Sequence, residues 1–170
     1  MTEIAGILNG TTNFILTKMI REHMAFADAL KLAQQLATPS GTPPPMWRVS
    51  MPAGKSASWP LWPMAPMCTP MGPYRGITAI TKEDVGYADA WGGVIKLIGE
   101  VKKLENGRIH YPGGPMFISR ESQLANVDDV FNGILVRGDA TGDVVFYGKG
   151  AGKLPTASAV VAMSSTVCAT

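Results

Sequence analysis

The sequence predicts an α+β fold, with a mixed or antiparallel β-sheet covered on one face by helices and an irregular proline-rich segment in the middle. Apolar residues recur at helical spacing near the start of the chain, and stretches rich in β-branched residues alternate with glycine-containing turns in its second half. Residues 37–75 hold ten of the 13 prolines. With 170 residues, 46% of them apolar and 16% charged, the composition fits one globular domain.

Two helices are expected in the first 36 residues, after a bend at Gly10. One of three polar residues should cap the first helix: Thr11, Thr12 or Asn13. Its apolar residues share one stripe: Phe14, Ile15, Met19 and Ile20. The second helix is expected from about Phe26 to near Leu36, with Asp28 in its first turn, where an acidic side chain interacts favourably with the helix dipole.

A capping box predicts the start of the next helix. Thr81 is followed three residues later by Asp84, which stands where Glu or Gln is preferred. Glycine is typical of the position just after a helix, so Gly92 or Gly93 should end this one.

The second half of the chain is expected to form most of the sheet. Four strands are predicted, at residues 94–104, 109–111, 134–136 and 144–147. Asn106-Gly107 is typical of a type I′ hairpin turn between the first two strands, and the glycine-containing residues 138–143 join the other two. A short helix should begin near Pro155, because proline suits a first helical turn. The whole chain is expected to have three or four helices and four or five strands.

Residues 37–75 differ from the rest of the chain in composition. They contain three of the four tryptophans but no Asp, Glu, Asn, Gln, Ile or Phe. Each proline inside a helix costs about 3 kcal/mol, so no helix is expected there. A pair of compensating frameshifts would explain the composition, since the codons of Met46-Trp47-Arg48-Val49, read one base earlier, permit Asp-Val-Glu-Gly. The alternative is a genuine proline-rich insert, which can serve as a stiff linker or as a ligand for aromatic grooves.

Charge, cysteine and histidine positions exclude several kinds of partner. The formal net charge is +2 and the basic residues are scattered, so no nucleic acid is expected. Cys68 and Cys168 make no disulfide framework, and neither they nor His23 and His110 have metal-ligand spacing, so no metal is expected. The sequence has no export leader and no run of about 18 apolar residues. We therefore expect no membrane partner and a cytoplasmic location.

The chain has one distinctive motif near each end. The first is Gly6-Ile7-Leu8-Asn9-Gly10-Thr11-Thr12-Asn13, and the second is the stretch Tyr147-Gly148-Lys149-Gly150-Ala151-Gly152-Lys153-Leu154-Pro155-Thr156-Ala157-Ser158-Ala159-Val160-Val161. Together they resemble the substrate domain of the homoserine dehydrogenase family. The resemblance extends over residues 4–36 and 76–162, and the family has Asp-Val-Glu-Gly where the shifted reading frame permits it.

The resemblance implies an NAD(P)-dependent oxidoreductase that interconverts L-homoserine and L-aspartate 4-semialdehyde in threonine and methionine biosynthesis. It implies NADP or NAD as cofactor, a small-molecule substrate, and a homodimer formed through this half of the enzyme. In such an enzyme the active site also needs a dinucleotide-binding domain, and no strand followed by Gly-x-Gly-x-x-Gly opens this sequence. We therefore expect that domain to be absent, Met1 to be an internal start, and the chain to be a fragment that is inactive by itself.

By resemblance, Gly10 and Thr11 are substrate-binding residues that offer backbone amides and a hydroxyl to the substrate. The residues alone indicate only a capped turn. Gly150 and Gly152 belong to a glycine-rich loop between a strand and a helix, where backbone amides can approach an anion or a cofactor. The family's closing segment packs against the nicotinamide, so the resemblance makes these two glycines cofactor-binding residues.

The family's proton donor is a lysine, preceded by acidic residues that hold the substrate. Counting from Met19 without gaps places this lysine at Lys55, a match in register only. The same count places the acidic positions at Ser40 and Met51, which carry no charge. The residues alone indicate a solvated surface lysine at position 55.

Two other functions stay open at this point. The chain is either a non-enzymatic binding module that presents its proline-rich loop, or a structural or regulatory remnant that pairs with a full-length subunit. The nucleotide sequence of the gene separates the first from a frameshifted enzyme fragment, and co-purification with a full-length subunit would indicate the second.

Overall fold

The computed structural model describes residues 2–36, 76–107, 109–110 and 112–168. Its strands form one six-stranded sheet: β1 (Glu3–Ile7), β2 (Gly93–Lys103), β3 (Ile109–His110), β4 (Gly113–Ser119), β5 (Phe131–Gly138) and β6 (Gly142–Lys149). Its helices are α1 (Gly10–Arg21), α2 (Phe26–Leu36), α3 (Lys82–Ala90) and α4 (Lys153–Cys168), with a 3-10 turn at Gln123–Asn126. All the strand pairs described are antiparallel. The predicted α+β class is confirmed, while the proline-rich segment lies outside the described residues.

The centre of the sheet is a strand that the sequence did not indicate. β1 lies between β2 and β5, and Gly6 pairs with Gly99 on one side and Ile134 on the other. No strand was predicted before the bend at Gly10, so β1 is an additional element. β1 has only five residues and four of them are buried, so it lacks the polar alternation that marks a half-buried strand.

The first helix has a different cap from the three expected. Asn9, with an extended backbone at φ −135°, is the N-cap, and its side-chain oxygen accepts a hydrogen bond from the Thr12 amide at 3.0 Å. Thr11, Thr12 and Asn13 lie inside the helix, so none of them caps it. A cap must leave the helical region of backbone angles, and only the position before Gly10 does so.

The start of α3, the hairpin after β2 and the last helix can each be compared with the sequence prediction. Both hydrogen bonds of the Thr81–Asp84 capping box are present. The last residue of α3 is Ala90, and Gly92 follows shortly after it with φ +75°. The hairpin after β2 forms, but its turn is not type I′, because only Gly107 has a positive φ and Asn106 does not. The last helix begins at Lys153, close to Pro155, yet it is 16 residues long rather than short.

The core lies on both sides of β2. On one side Leu97 packs with the helices in a cluster of buried residues: Phe14, Ile15, Leu16, Met19, Ala29, Ala33, Ile77, Ile80 and Val85. On the other, Ile98 packs with residues from the sheet and the 3-10 turn: Ala5, Ile7, Leu124, Val127 and Leu135. Each large apolar side chain buried in this way contributes about 1.5–3 kcal/mol. No helix within the described residues is long and apolar enough to cross a membrane.

Candidate functional site

The two turns singled out in the sequence both approach the start of β5, one from each side of that strand. Gly10, the first residue of α1, lies so close to the chain before β5 that a Cβ there would be 2.7 Å from the Val130 carbonyl oxygen. Gly150 lies against Asn132, the second residue of β5, and a Cβ at Gly150 would overlap Nδ2 of that side chain. Only Phe131 separates Val130 from Asn132. The structure therefore places both turns against the same short stretch of chain, residues 130–132.

The other two site residues in the described chain flank these glycines. Thr11 is exposed in the first turn of α1, beside Gly10. Gly152 has φ +127°, a conformation that L side chains rarely adopt, and its carbonyl accepts a hydrogen bond from the Thr156 amide at 3.0 Å. A turn of this kind at the start of α4 requires glycine. Lys55, together with Ser40 and Met51, lies outside the described residues.

Residues 127–131, called the brace segment below, run alongside α1. The side-chain amide of Asn13 donates to three carbonyls of this segment, those of Val127 at 2.9 Å, Asp129 at 3.1 Å and Phe131 at 3.2 Å. Thr17 accepts a hydrogen bond from the Asp129 amide at 3.0 Å. Asp129 has φ +54°, which is uncommon for a residue other than glycine. The hydrogen bonds of α1 thus fix the path of the chain as it enters β5.

A fully buried lysine lies beneath the brace segment. Lys96 of β2 has no exposed side-chain surface, and its ammonium donates to the Val127 carbonyl at 2.7 Å, Asp128 Oδ1 at 3.0 Å and Asn13 Oδ1 at 3.3 Å. Burial lowers the pKa of Lys96, and the hydrogen bond that its ammonium donates to Asp128 opposes that effect. All three ammonium hydrogens have acceptors in the brace segment and α1. These hydrogen bonds offset the free-energy cost of burying the charge.

Asp128 carries the negative charge of this cluster. Arg21 donates to its second oxygen from Nε at 3.1 Å and from Nη2 at 2.9 Å. Burial by itself raises the pKa of the Asp128 carboxyl, but Lys96 and Arg21 together outweigh burial and hold the pKa below its ordinary value. The carboxylate is therefore charged at neutral pH and is held between the sheet and α1.

The sequence analysis did not identify Lys96, Asn13 or Asp128 as parts of one cluster. A signal was present for Lys96, since it interrupts the apolar run Val94-Ile95-Lys96-Leu97-Ile98 on a predicted strand. A charge in such a run is rarely buried unless it has a partner. The partners come from distant parts of the chain, and no local pattern indicates them.

Around the glycine-rich turn, polar and aromatic groups face each other across β5 and β6. Phe131 stacks on Tyr147 with a ring separation of 4.8 Å, and Lys149 lies 5.9 Å from the centre of the Phe131 ring. Asn132 Oδ1 is buried and has no hydrogen-bond partner among the described residues. An unpartnered buried acceptor is costly, and it fits a site that a donor group completes. The described residues include no cluster of His, Cys, Asp or Glu that could hold a metal ion.

The contact between Gly150 and Asn132 can be tested by substitution. Gly150→Ala should lower the free energy of unfolding by about 1–3 kcal/mol, because the new methyl group overlaps the Asn132 side chain. Adding Asn132→Ala removes the overlap, so the double variant should be as stable as Asn132→Ala alone. Urea denaturation of the four proteins in this cycle measures the coupling.

Gly148→Ala is the matched control, since nothing lies within 4 Å of a Cβ at that position. It should leave the stability unchanged within about 0.5 kcal/mol. If Gly150→Ala is equally harmless, the turn does not lie against Asn132 in solution.

Comparison with known proteins gives a consistent match. The sequence model of the family described as homoserine dehydrogenase matches residues 1–40 and 69–162. The chain is 40% identical over 168 residues to a homoserine dehydrogenase of Neisseria gonorrhoeae, covering 94% of this chain but 37% of the relative. A homoserine dehydrogenase of Staphylococcus aureus, solved as a crystal structure, superposes with a TM-score of 0.84 at 38% identity, covering 99% of this chain and 43% of the other.

A hyperthermophilic archaeal homoserine dehydrogenase mutant, solved in complex with NADPH, is also similar. It has a TM-score of 0.61 and 26% identity, and the match covers 89% of this chain and 42% of the archaeal one. The chain therefore spans about two fifths of the length of each of these three relatives.

Proposed function

This chain belongs to the homoserine dehydrogenase family, and we propose that it forms the substrate-binding part of an enzyme that interconverts L-homoserine and L-aspartate 4-semialdehyde with NAD or NADP. The observation that carries the proposal is that Gly10 and Gly150 approach the start of β5 at Val130 and Asn132, on either side of Phe131. A dehydrogenase needs its substrate and its nicotinamide side by side, and both turns pack against this one stretch of chain. Comparison with known proteins favours this function over a proline-rich binding module.

Reduction of the aldehyde requires a held carbonyl, a hydride and a proton donor. The cofactor supplies or accepts the hydride when it is bound. In this proposal the backbone amides at Gly10 and Thr11, together with the Thr11 hydroxyl, orient the polar groups of the substrate at the first turn of α1. Lys55 remains the proposed proton donor, by its register in the sequence.

The described residues fit the nicotinamide end of a cofactor. Gly150 has no Cβ, so its backbone packs directly against the side chain of Asn132. The unpartnered Asn132 Oδ1 is an acceptor for an N–H donor, which the carboxamide of a nicotinamide possesses. Gly152 completes the turn because it adopts φ +127°. These features support the assignment of Gly150 and Gly152 to the cofactor side.

The family implies further properties that belong to the same proposal. They are a homodimeric assembly, a cytoplasmic location, and a role in threonine and methionine biosynthesis. The choice between NAD and NADP is made by residues that bind the ribose, and the 170 residues contain no Gly-x-Gly-x-x-Gly fingerprint for that part of the cofactor.

The purified 170-residue chain should show no homoserine-dependent reduction of NAD or NADP. Loss of a general acid or base alone costs about 10² to 10⁴ in rate, and loss of cofactor positioning costs more. Absorbance of the reduced nicotinamide measures the reaction. Turnover by the isolated chain would contradict the proposal that it is only part of the enzyme.

A chimera tests the function directly. The nucleotide-binding half of the Neisseria relative is fused to this chain, and in a second version to this chain with the frame of residues 37–75 restored. We expect the restored chimera to reduce aspartate semialdehyde and the unmodified one to be inactive, because only the restored frame permits acidic residues before the lysine. The intact Neisseria enzyme is the positive control, and a well-folded restored chimera without activity would contradict the proposed function.

A further inference from the structure

We propose that Lys96 is a positioning residue for the candidate site, whose ammonium group holds the brace segment against α1 and so fixes Gly10 relative to Asn132. The proposal rests on the proposed function only in taking Gly10 and Gly150 as the substrate and cofactor sides. Lys96 contacts neither turn itself, and it acts through Asn13 and the brace segment.

The position of Lys96 in the fold suits this role. It projects from β2, which pairs with three strands of the sheet, β1, β3 and β4. Its ammonium reaches three acceptors, one in α1 and two in the brace segment. One rigid strand therefore holds the start of α1 and the entry to β5 at a fixed separation.

The hydrogen bond between Lys96 and Asn13 determines which way the Asn13 amide points. The ammonium can only donate, so the Asn13 oxygen must face it, at 3.3 Å. The amide nitrogen then faces the carbonyls of Val127, Asp129 and Phe131. The three carbonyls favour the same orientation, because they can only accept, so the ammonium and the carbonyls hold the amide from opposite ends.

The fixed amide reaches both sides of the site. Asn13 is one helical turn from Gly10, and its nitrogen binds the carbonyl of Phe131, the residue between Val130 and Asn132. The Val130 carbonyl limits the approach of Gly10, and the Asn132 side chain limits the approach of Gly150. A shift of the brace segment would therefore change the distance between the two turns.

Replacing Lys96 with a neutral side chain of similar length should preserve the fold. In Lys96→Met, the Val127 carbonyl keeps its bond from Asn13 and Asp128 keeps its bonds from Arg21. All three acceptors lose the ammonium, but Asp128 is 30% exposed and keeps Arg21, so its carboxylate is not left as an unpaired buried charge. The Asn13 oxygen loses the one hydrogen bond described for it.

The experiment measures amide hydrogen exchange, residue by residue, in the full chain. In Lys96→Met, protection at the Asp129 amide, which is bonded to Thr17, should fall at least tenfold. Protection in the β1–β2 pairing, for example at Gly99, should stay unchanged. Lys102→Met is the matched control on the same strand, because its side chain is half exposed and pairs with Glu3 at 3.4 Å.

Two outcomes would overturn the proposal. An equal loss of protection in the brace segment and in the sheet would mean that Lys96 stabilises the whole fold and positions nothing. Unchanged protection at Asp129 would mean that the brace segment does not depend on Lys96. Neither result involves catalysis, so an inactive chimera would leave this measurement and its interpretation unaffected.

A pH titration of the unmodified chain keeps the proposal testable if Lys96→Met fails to fold. The groups that face Lys96 are Asp128 and Asp129 of the brace segment and Arg21 of α1, and burial lowers its pKa below that of a surface lysine. As pH rises through that pKa, the NMR resonances of the Asn13 side-chain amide and the Gly10 backbone amide should move together with that of the Lys96 side chain. If the Asn13 and Gly10 amide resonances do not shift when Lys96 loses its proton, the proposal is wrong.

Discussion

Asn13→Ala should lower the free energy of unfolding by about 3 kcal/mol. The side chain is 1% exposed, and its amide is the donor recorded for the carbonyls of Asp129 and Phe131. The bonds to these two carbonyls are part-buried, and the bond that the Lys96 ammonium loses is buried. Loss of a buried hydrogen-bond partner costs about 1–3 kcal/mol, and the two part-buried bonds add to that cost. Urea denaturation followed by circular dichroism measures the change.

Thr11→Ala is the control for this substitution. Thr11 lies in the same helical turn but is exposed, so its replacement should change stability by no more than about 0.5 kcal/mol. A loss below about 1 kcal/mol for Asn13→Ala would mean that water or another group replaces the amide. The brace segment would then not depend on α1 as described.

Gly10→Ala should lower the free energy of unfolding by about 1–3 kcal/mol, although alanine is the better helix former by nearly 1 kcal/mol. The new Cβ would lie 2.7 Å from the Val130 carbonyl oxygen, and 3.3 Å from its carbon. Backbone held by Asn13 cannot move aside as a flexible side chain would. The brace segment or the start of α1 must shift, and the candidate site changes with it.

Gly86→Ala is the contrasting substitution, since it is expected to raise the free energy of unfolding. Gly86 is inside α3, and nothing lies within 4 Å of a Cβ there. It should therefore raise the free energy of unfolding by about 0.5–1 kcal/mol through reduced backbone entropy and higher helix propensity. Thermal denaturation of both variants compares them directly, and a stabilised Gly10→Ala would show that α1 does not approach Val130 so closely.

Both expectations depend on a single feature, the path of residues 127–131 along α1. Asn13 holds this segment by hydrogen bonds, and Gly10 permits its close approach. The stability of the fold and the geometry of the candidate site are therefore properties of the same contacts. A substitution that weakens one is expected to weaken the other.

Elements with strong local signals could be predicted from the sequence. The Thr81 capping box, the α2 helix from Phe26 to Leu36, and the β5–β6 pair all formed where expected. Each depends on residues close together in the chain, a cap and its third neighbour or two strands joined by a short turn. Because interactions between residues close in the chain form such elements, the local sequence is enough to predict them.

Elements that depend on distant partners could not be predicted. β1 is a strand because β2 and β5 supply hydrogen bonds on both sides, and its five residues have no pattern of their own. β4 (Gly113–Ser119) contains two glycines and a proline, which disfavour strands, yet it pairs along β2 from Gly93 to Gly99. Pairing in the folded sheet outweighed these weak or opposing preferences.

Some features of the candidate site could likewise be predicted from the sequence, and others depended on the tertiary structure. The sequence by itself determined which residues to examine, because Gly10, Thr11, Gly150 and Gly152 stand in motifs whose resemblance to one family is specific. Only the tertiary structure decided that Gly10 and Gly150 pack against Val130 and Asn132, on either side of Phe131, and that Lys96 and Asn13 hold this segment. The physical reason is that a buried ammonium and a buried amide must find hydrogen-bond partners wherever the fold provides them, and here those partners come from three separate parts of the chain.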